Sequence, residues 1–187
     1  MLKVIYKKLV LLLTKPEIAW GEFLSEGRVK ENVINKFCYP LMSIAAGIFL
    51  VSNLVFHHTS IHAVIIRSLI YFVTLFSSFY IVRYALSYLL VKRYEITASK
   101  DQLTLVTGYS FSIVYLLYIM MAFSSSFFFL WVFFLYTPYL IWIAADVLFD
   151  IKPEARGMLV IGLSALIAGV PWFINLIFNG LFLSHLT

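Results

Sequence analysis

Apolar positions in this chain neither alternate nor mark one face of a helix; they run unbroken for some twenty residues at a time. A helix needs roughly 20 predominantly apolar residues to cross about 30 Å of hydrocarbon. Five such runs are present, at about 37–56, 63–90, 103–123, 127–149 and 158–183. Their continuity argues against a membrane β-barrel, whose strands alternate between lipid and lumen. The pattern therefore predicts an all-α fold, a polytopic membrane bundle of five transmembrane helices over residues 37–187. Only Ser124, Ser125 and Ser126 part the third run from the fourth, so those two are expected to form a tight hairpin.

The first 36 residues read differently. Leu2, Ile5, Leu9, Leu12 and Leu13 recur at helical spacing among Lys3, Lys7 and Lys8, the signature of a helix lying in the membrane interface. Thr14-Lys15-Pro16-Glu17 has the form of a capping box with proline in the first turn, where its missing N–H does no harm. The helix it opens gathers Ala19, Trp20, Phe23 and Leu24 on one arc, and Gly27 is a natural stop. This cytoplasmic amphipathic segment, 1–36, is expected to pack under the bundle and close its end. Docking on the membrane surface or on a partner is compatible with that packing. Residues 1–13 lack a long apolar stretch and a small-residue cleavage site, so no cleavable signal peptide is expected.

Composition agrees: 63% of residues are hydrophobic and 12% charged, with a mean hydropathy of +0.96. A chain of 187 residues has room for one bundle. Charge then orients it. Lys3, Lys7, Lys8, Lys15, Arg28, Lys30 and Lys36 precede the first run; Lys92, Arg93 and Lys100 follow the second; Lys152 and Arg156 follow the fourth. With five spans all of these fall on one side, and basic loops stay cytoplasmic. The expectation is a multi-pass protein of the inner (cytoplasmic) membrane, N-terminus in the cytoplasm and C-terminus outside. The net charge of +5 suits anionic lipid head groups and calls for no nucleic acid. A single cysteine, Cys38, forbids an internal disulfide.

Candidate chemistry is sparse. Lipid supplies no hydrophobic force between helices, so small residues that let backbones approach mark the packing faces. Ser43 with Gly47, and Thr104 with Gly108 and Ser112, are spaced for this. Pro40, Pro138 and Pro171 are expected to bend or break their helices. Ionisable groups within membrane segments are costly. Here they are Arg67 near the outer end of the second run, Arg83 nearer its inner end, and Asp146 with Asp150 near the inner end of the fourth. Either the arginines snorkel, or Arg83 pairs with Asp146. His57, His58, His62 and His185 all fall on the outer side, where three or four imidazoles would suit zinc, although a polar loop of merely solvated histidines is the favoured reading. Otherwise no cofactor is expected. Metalloprotease, nucleophile-elbow and phosphate-loop motifs are missing, so an enzyme is not expected. Only neutral groups such as Thr74, Ser77, Ser78 and Thr137 occupy the middle depth, which predicts a dry, aromatic-packed centre.

Lys15-Pro16-Glu17-Ile18-Ala19-Trp20, a short charged stretch, and Tyr39-Pro40-Leu41 opening the first run resemble the Yip1 domain family, in a short bacterial-type form. Gly108-Tyr109-Ser110 in the third run and Tyr139-Leu140-Ile141-Trp142 in the fourth add to the resemblance, which covers nearly the whole chain. It implies five spans, a cytoplasmic N-terminus, and a non-enzymatic role in membrane organisation or as a scaffold. Such a role would run through helix packing, self-association or a membrane-protein partner. The alternative is a small transporter or channel.

Overall fold

The computed structural model describes residues 2–56, 61–123 and 125–182. Among these the fold is all-α, with no strand, and five helical segments are long and apolar enough to cross a membrane. They are Glu31–Val55, Ile61–Tyr94, Lys100–Met121, Phe129–Val147 and Pro153–Leu181. Two further helices precede them, α1 (Leu2–Thr14) and α2 (Pro16–Ser25).

The first span changes helix type: a π-helical segment, Lys30–Cys38, runs directly into α3 (Tyr39–Phe56), with Pro40 just past the join. The second is one uninterrupted helix, α4 (Ile61–Tyr94). The third divides into α5 (Lys100–Ser110) and α6 (Ser112–Met121) at Phe111. The fourth combines a 3-10 segment, Ser125–Leu135, with α7 (Tyr136–Val147), and Pro138 lies in the first turn of α7. The last is α8 (Pro153–Phe182), which continues through Pro171. Thus Pro40 and Pro138 sit at changes of helix type, where a missing N–H costs little. Pro171 does not end its helix, and α5 and α6 meet at Phe111, where no proline stands and the hydrogen bonds from Phe111 N–H to Thr107 O and from Tyr115 N–H to Phe111 O carry the helix on.

Helix ends explain several residues. Ser99 caps α5: its Oγ accepts from the Gln102 N–H, while the Gln102 side chain accepts from the Ser99 N–H. Gln102 also donates 2.8 Å to the Leu148 carbonyl, tying the start of α5 to the end of α7. The capping box expected at Thr14 does not form. The N-cap of α2 is Lys15, and the Thr14 hydroxyl donates back to Val10 O at 2.7 Å. Serine and threonine readily bond the carbonyl four residues back inside a helix, and α1 extends to Thr14. Gly27, with φ 62°, stops α2 as expected. At the end of α7, Asp150 takes φ 50° while the Ile151 N–H reaches Ala145 O, so this aspartate serves as a left-handed cap.

The third span is the axis of the molecule: 78% of its apolar stretch is buried, against 33–44% for the other four. Its Phe111 and Tyr115 are fully buried, as are Phe79 and Leu75 of α4 and Met42 of α3. Towards the end of the bundle where α4 begins, Tyr71 stacks on Phe49 at 4.4 Å and donates 2.7 Å to Tyr118 O. Trp131 lies 6.5 Å from the Tyr118 ring and donates to the Met121 sulfur, closing the expected hairpin of the third and fourth spans.

Candidate functional site

The most organised polar site lies where α1 and α2 dock on the bundle. The apolar face expected of α1 is divided. Ile5, Lys8 and Leu12 are buried against the bundle, while Leu2, Tyr6 and Leu13 remain exposed beside Lys3 and Lys7. On α2 the buried residues are Pro16, Ala19, Trp20 and Phe23, and Leu24 faces outward. The two helices thus form a hairpin with one face on the spans. The Tyr136 hydroxyl fastens its turn by donating 2.9 Å to Leu13 O.

Tyr109, in the last turn of α5, is what the hairpin closes upon. Phe23 stacks on its ring at 4.2 Å, Phe37 of the π-helical segment approaches to 4.8 Å, and Trp20 meets it edge-on at 6.1 Å. Lys8 reaches in from α1. Its ammonium lies 2.5 Å from Glu26 Oε2, donates 3.0 Å to the Tyr109 hydroxyl, and sits 4.8 Å above the Phe23 ring. A buried cation needs a counter-charge and hydrogen-bond partners. Here Glu26, the C-cap of α2, supplies the charge and Tyr109 an acceptor from α5, so one ammonium ties α1 to the end of α2 and to α5. A crevice between α1 and α2, lined by Lys3, Lys7, Glu22 and Glu26 among others, leads to it. This cluster latches α1 and the end of α2 onto α5.

Gly108, one residue earlier, lets the first and third spans meet. A Cβ there would collide with Val33 Cγ1 and stand 3.0 Å from the Cys38 sulfur. Thr104 and Ser112 of the same spacing are also buried. Ser43 and Gly47 are not packing positions within the chain: both are exposed, and nothing lies within 4 Å of a Cβ built on Gly47. Small size permits close approach without compelling it, and the opposite side of α3 faces the bundle through Met42 and Ala45.

The predicted Arg83–Asp146 pair does not form. Arg83 donates 3.1 Å to Thr104 Oγ1 and covers the Tyr80 ring at 5.5 Å. Asp146 pairs instead with Arg156, whose Nε also donates 2.5 Å to Ile151 O. The turn capped by Asp150 brings Arg156 back over the end of α7, so a partner ten residues away replaces one on another helix. Asp150 is exposed in that turn and Arg67 is half-buried with its Nε unpartnered. His62 is exposed near the start of α4; His57, His58 and His185 lie outside the described residues. Among the described residues no three His, Cys, Asp or Glu side chains gather to hold a metal.

Sequence reasoning missed the latch. Its one local signal was a lysine set between Ile5 and Leu12 on the stripe that packs inward; Glu26 stands 18 residues away and Tyr109 101 away.

Five apolar spans, the third the most buried, make this chain a multi-pass integral membrane protein. Neither the family models, the curated proteins nor the solved structures contain a match to it.

Proposed function

We propose that this is a non-enzymatic, Yip1-like scaffold of the cytoplasmic membrane, with its N-terminus in the cytoplasm, acting in membrane organisation through helix packing and a membrane-protein partner or a second copy. The observation that supports it most is the use made of the Gly-Tyr-Ser stretch. Gly108 seats the first span and Tyr109 seats the N-terminal hairpin, so the residues carrying the resemblance hold the cytoplasmic face together. A face that presents a docked hairpin is what a scaffold needs.

One observation favours the transporter alternative. Around Phe111, the hydroxyls of Thr107, Ser110 and Ser112 are buried without a hydrogen-bond partner. Unpartnered polar groups inside a membrane span are where a transporter could bind substrate. Cysteine labelling along α7 and α8 with a water-soluble reagent separates the two readings. The scaffold predicts reaction only towards the ends of each helix. A reactive stripe through Pro138 or Pro171 would establish a water path and replace the scaffold with a transporter.

A further inference from the structure

The fold leaves Arg83 a cation without an anion. No carboxylate among the described residues pairs with it, and its polar contacts are one hydrogen bond to Thr104 Oγ1 and the Tyr80 ring. Thr104 is neutral and offers no counter-charge; its hydroxyl accepts from Arg83 while donating to Lys100 O at 2.7 Å. Most of the guanidinium's donors therefore remain to be satisfied. Beside it the Tyr39 and Tyr80 hydroxyls share a 2.7 Å hydrogen bond. In such a pair one hydroxyl donates to the other, and the accepting partner keeps its own O–H free for an external acceptor.

Arg83 is half-buried and sits on α4 among Tyr80, Tyr84 and Tyr88, the last two 77% and 60% exposed. Lys92 and Arg93 follow in the last turn of the helix. Exposed tyrosines of this kind mark the level of the lipid head groups. The anion at that level is the lipid phosphate. A planar guanidinium matches two phosphate oxygens at once, which a lysine ammonium cannot.

We propose that Arg83, with the Tyr39–Tyr80 hydroxyl pair, binds the phosphodiester of an anionic glycerophospholipid in the leaflet at the basic end of the bundle. The site stands apart from the scaffold reading and holds for a transporter equally. It is a defined recognition site, where simple snorkelling would need only a positive charge.

The test uses the full chain in a maltoside detergent without phosphate, following thermal unfolding as phosphatidylglycerol is titrated. The midpoint should rise for the native chain and for Lys152→Gln, which removes one exposed loop charge. Arg83→Gln should need about tenfold more lipid for the same rise. Inorganic phosphate at matching concentration should give none. An equal response from Arg83→Gln would overturn the site, and an equal rise with inorganic phosphate would show a free-anion site in place of a lipid site. Should Arg83→Gln fail to fold, Arg83→Lys decides: a weakened response supports the guanidinium site, and a native response reduces it to non-specific charge.

Discussion

Gly108 and Gly47 both lie in membrane spans at positions that spacing alone marks as close-packing, yet they do opposite things. At Gly108 the missing side chain is filled by Val33 and Cys38 of the first span; at Gly47 there is open space. Gly108→Ala must push the π-helical segment away or shift α5. It should destabilise the protein by about 1–3 kcal/mol, the usual result of overpacking. Gly47→Ala should be neutral or slightly stabilising, since alanine is the better helix former. Thermal unfolding of the two variants in detergent compares them directly, and equal midpoints would show that the first and third spans do not meet at Gly108. Arg83 and Asp146 repeat the lesson. Both were recognisable as costly charges, but the partner of each depends on where a side chain ends, and sequence places only its Cα.

Among the elements, the α1–α2 hairpin has the most uneven attachment. Its apolar grip is Ile5, Leu12, Ala19, Trp20 and Phe23, and its polar grip is Lys8 between Glu26 and Tyr109. The chain leaves it through Gly27 and Arg28, both exposed and both at positive φ. Truncating Tyr109 to alanine removes the ring on which Phe23, Phe37 and Trp20 converge and the acceptor for Lys8. The hairpin should then open more often. Local opening of this kind sets protease sensitivity when reclosing is fast. Trypsin cleavage after Arg28 in the detergent-solubilised chain should accelerate by roughly tenfold or more for Tyr109→Ala, and Lys8→Met should fall between it and the native rate. Unchanged cleavage would mean that the hairpin is held elsewhere. The apolar spacing of α1 and α2 could be read from residues 1–36. Its division into an inward stripe centred on a lysine and an outward apolar edge was not, because a hydrophobic face does not say whether lipid or protein will cover it.

For the whole molecule, the orientation inferred from the basic loops makes a test that needs no structure. Cys38 is fully buried, so added cysteines report alone. Cysteines replacing Ser99 and Ala155, both exposed at the basic end, should stay unlabelled by an impermeant reagent in sealed cells. One replacing Ile61, exposed at the other end, should react. Labelling of Ser99 with protection of Ile61 would invert the protein in its membrane. What the sequence determined by itself is the number, order and approximate limits of the spans, since a run of apolar residues long enough to cross lipid must satisfy its backbone internally as helix wherever it sits. The third run was no more apolar than the rest, and only packing made it the axis, because burial depends on how many neighbours surround a helix. Likewise the latch joining Lys8, Glu26 and Tyr109, the exchange of Arg83 for Arg156 as the partner of Asp146, and the uncompensated Arg83 were decided by tertiary structure. Each rests on side chains from separate helices meeting within hydrogen-bond reach, a coincidence of distance that no single helix encodes.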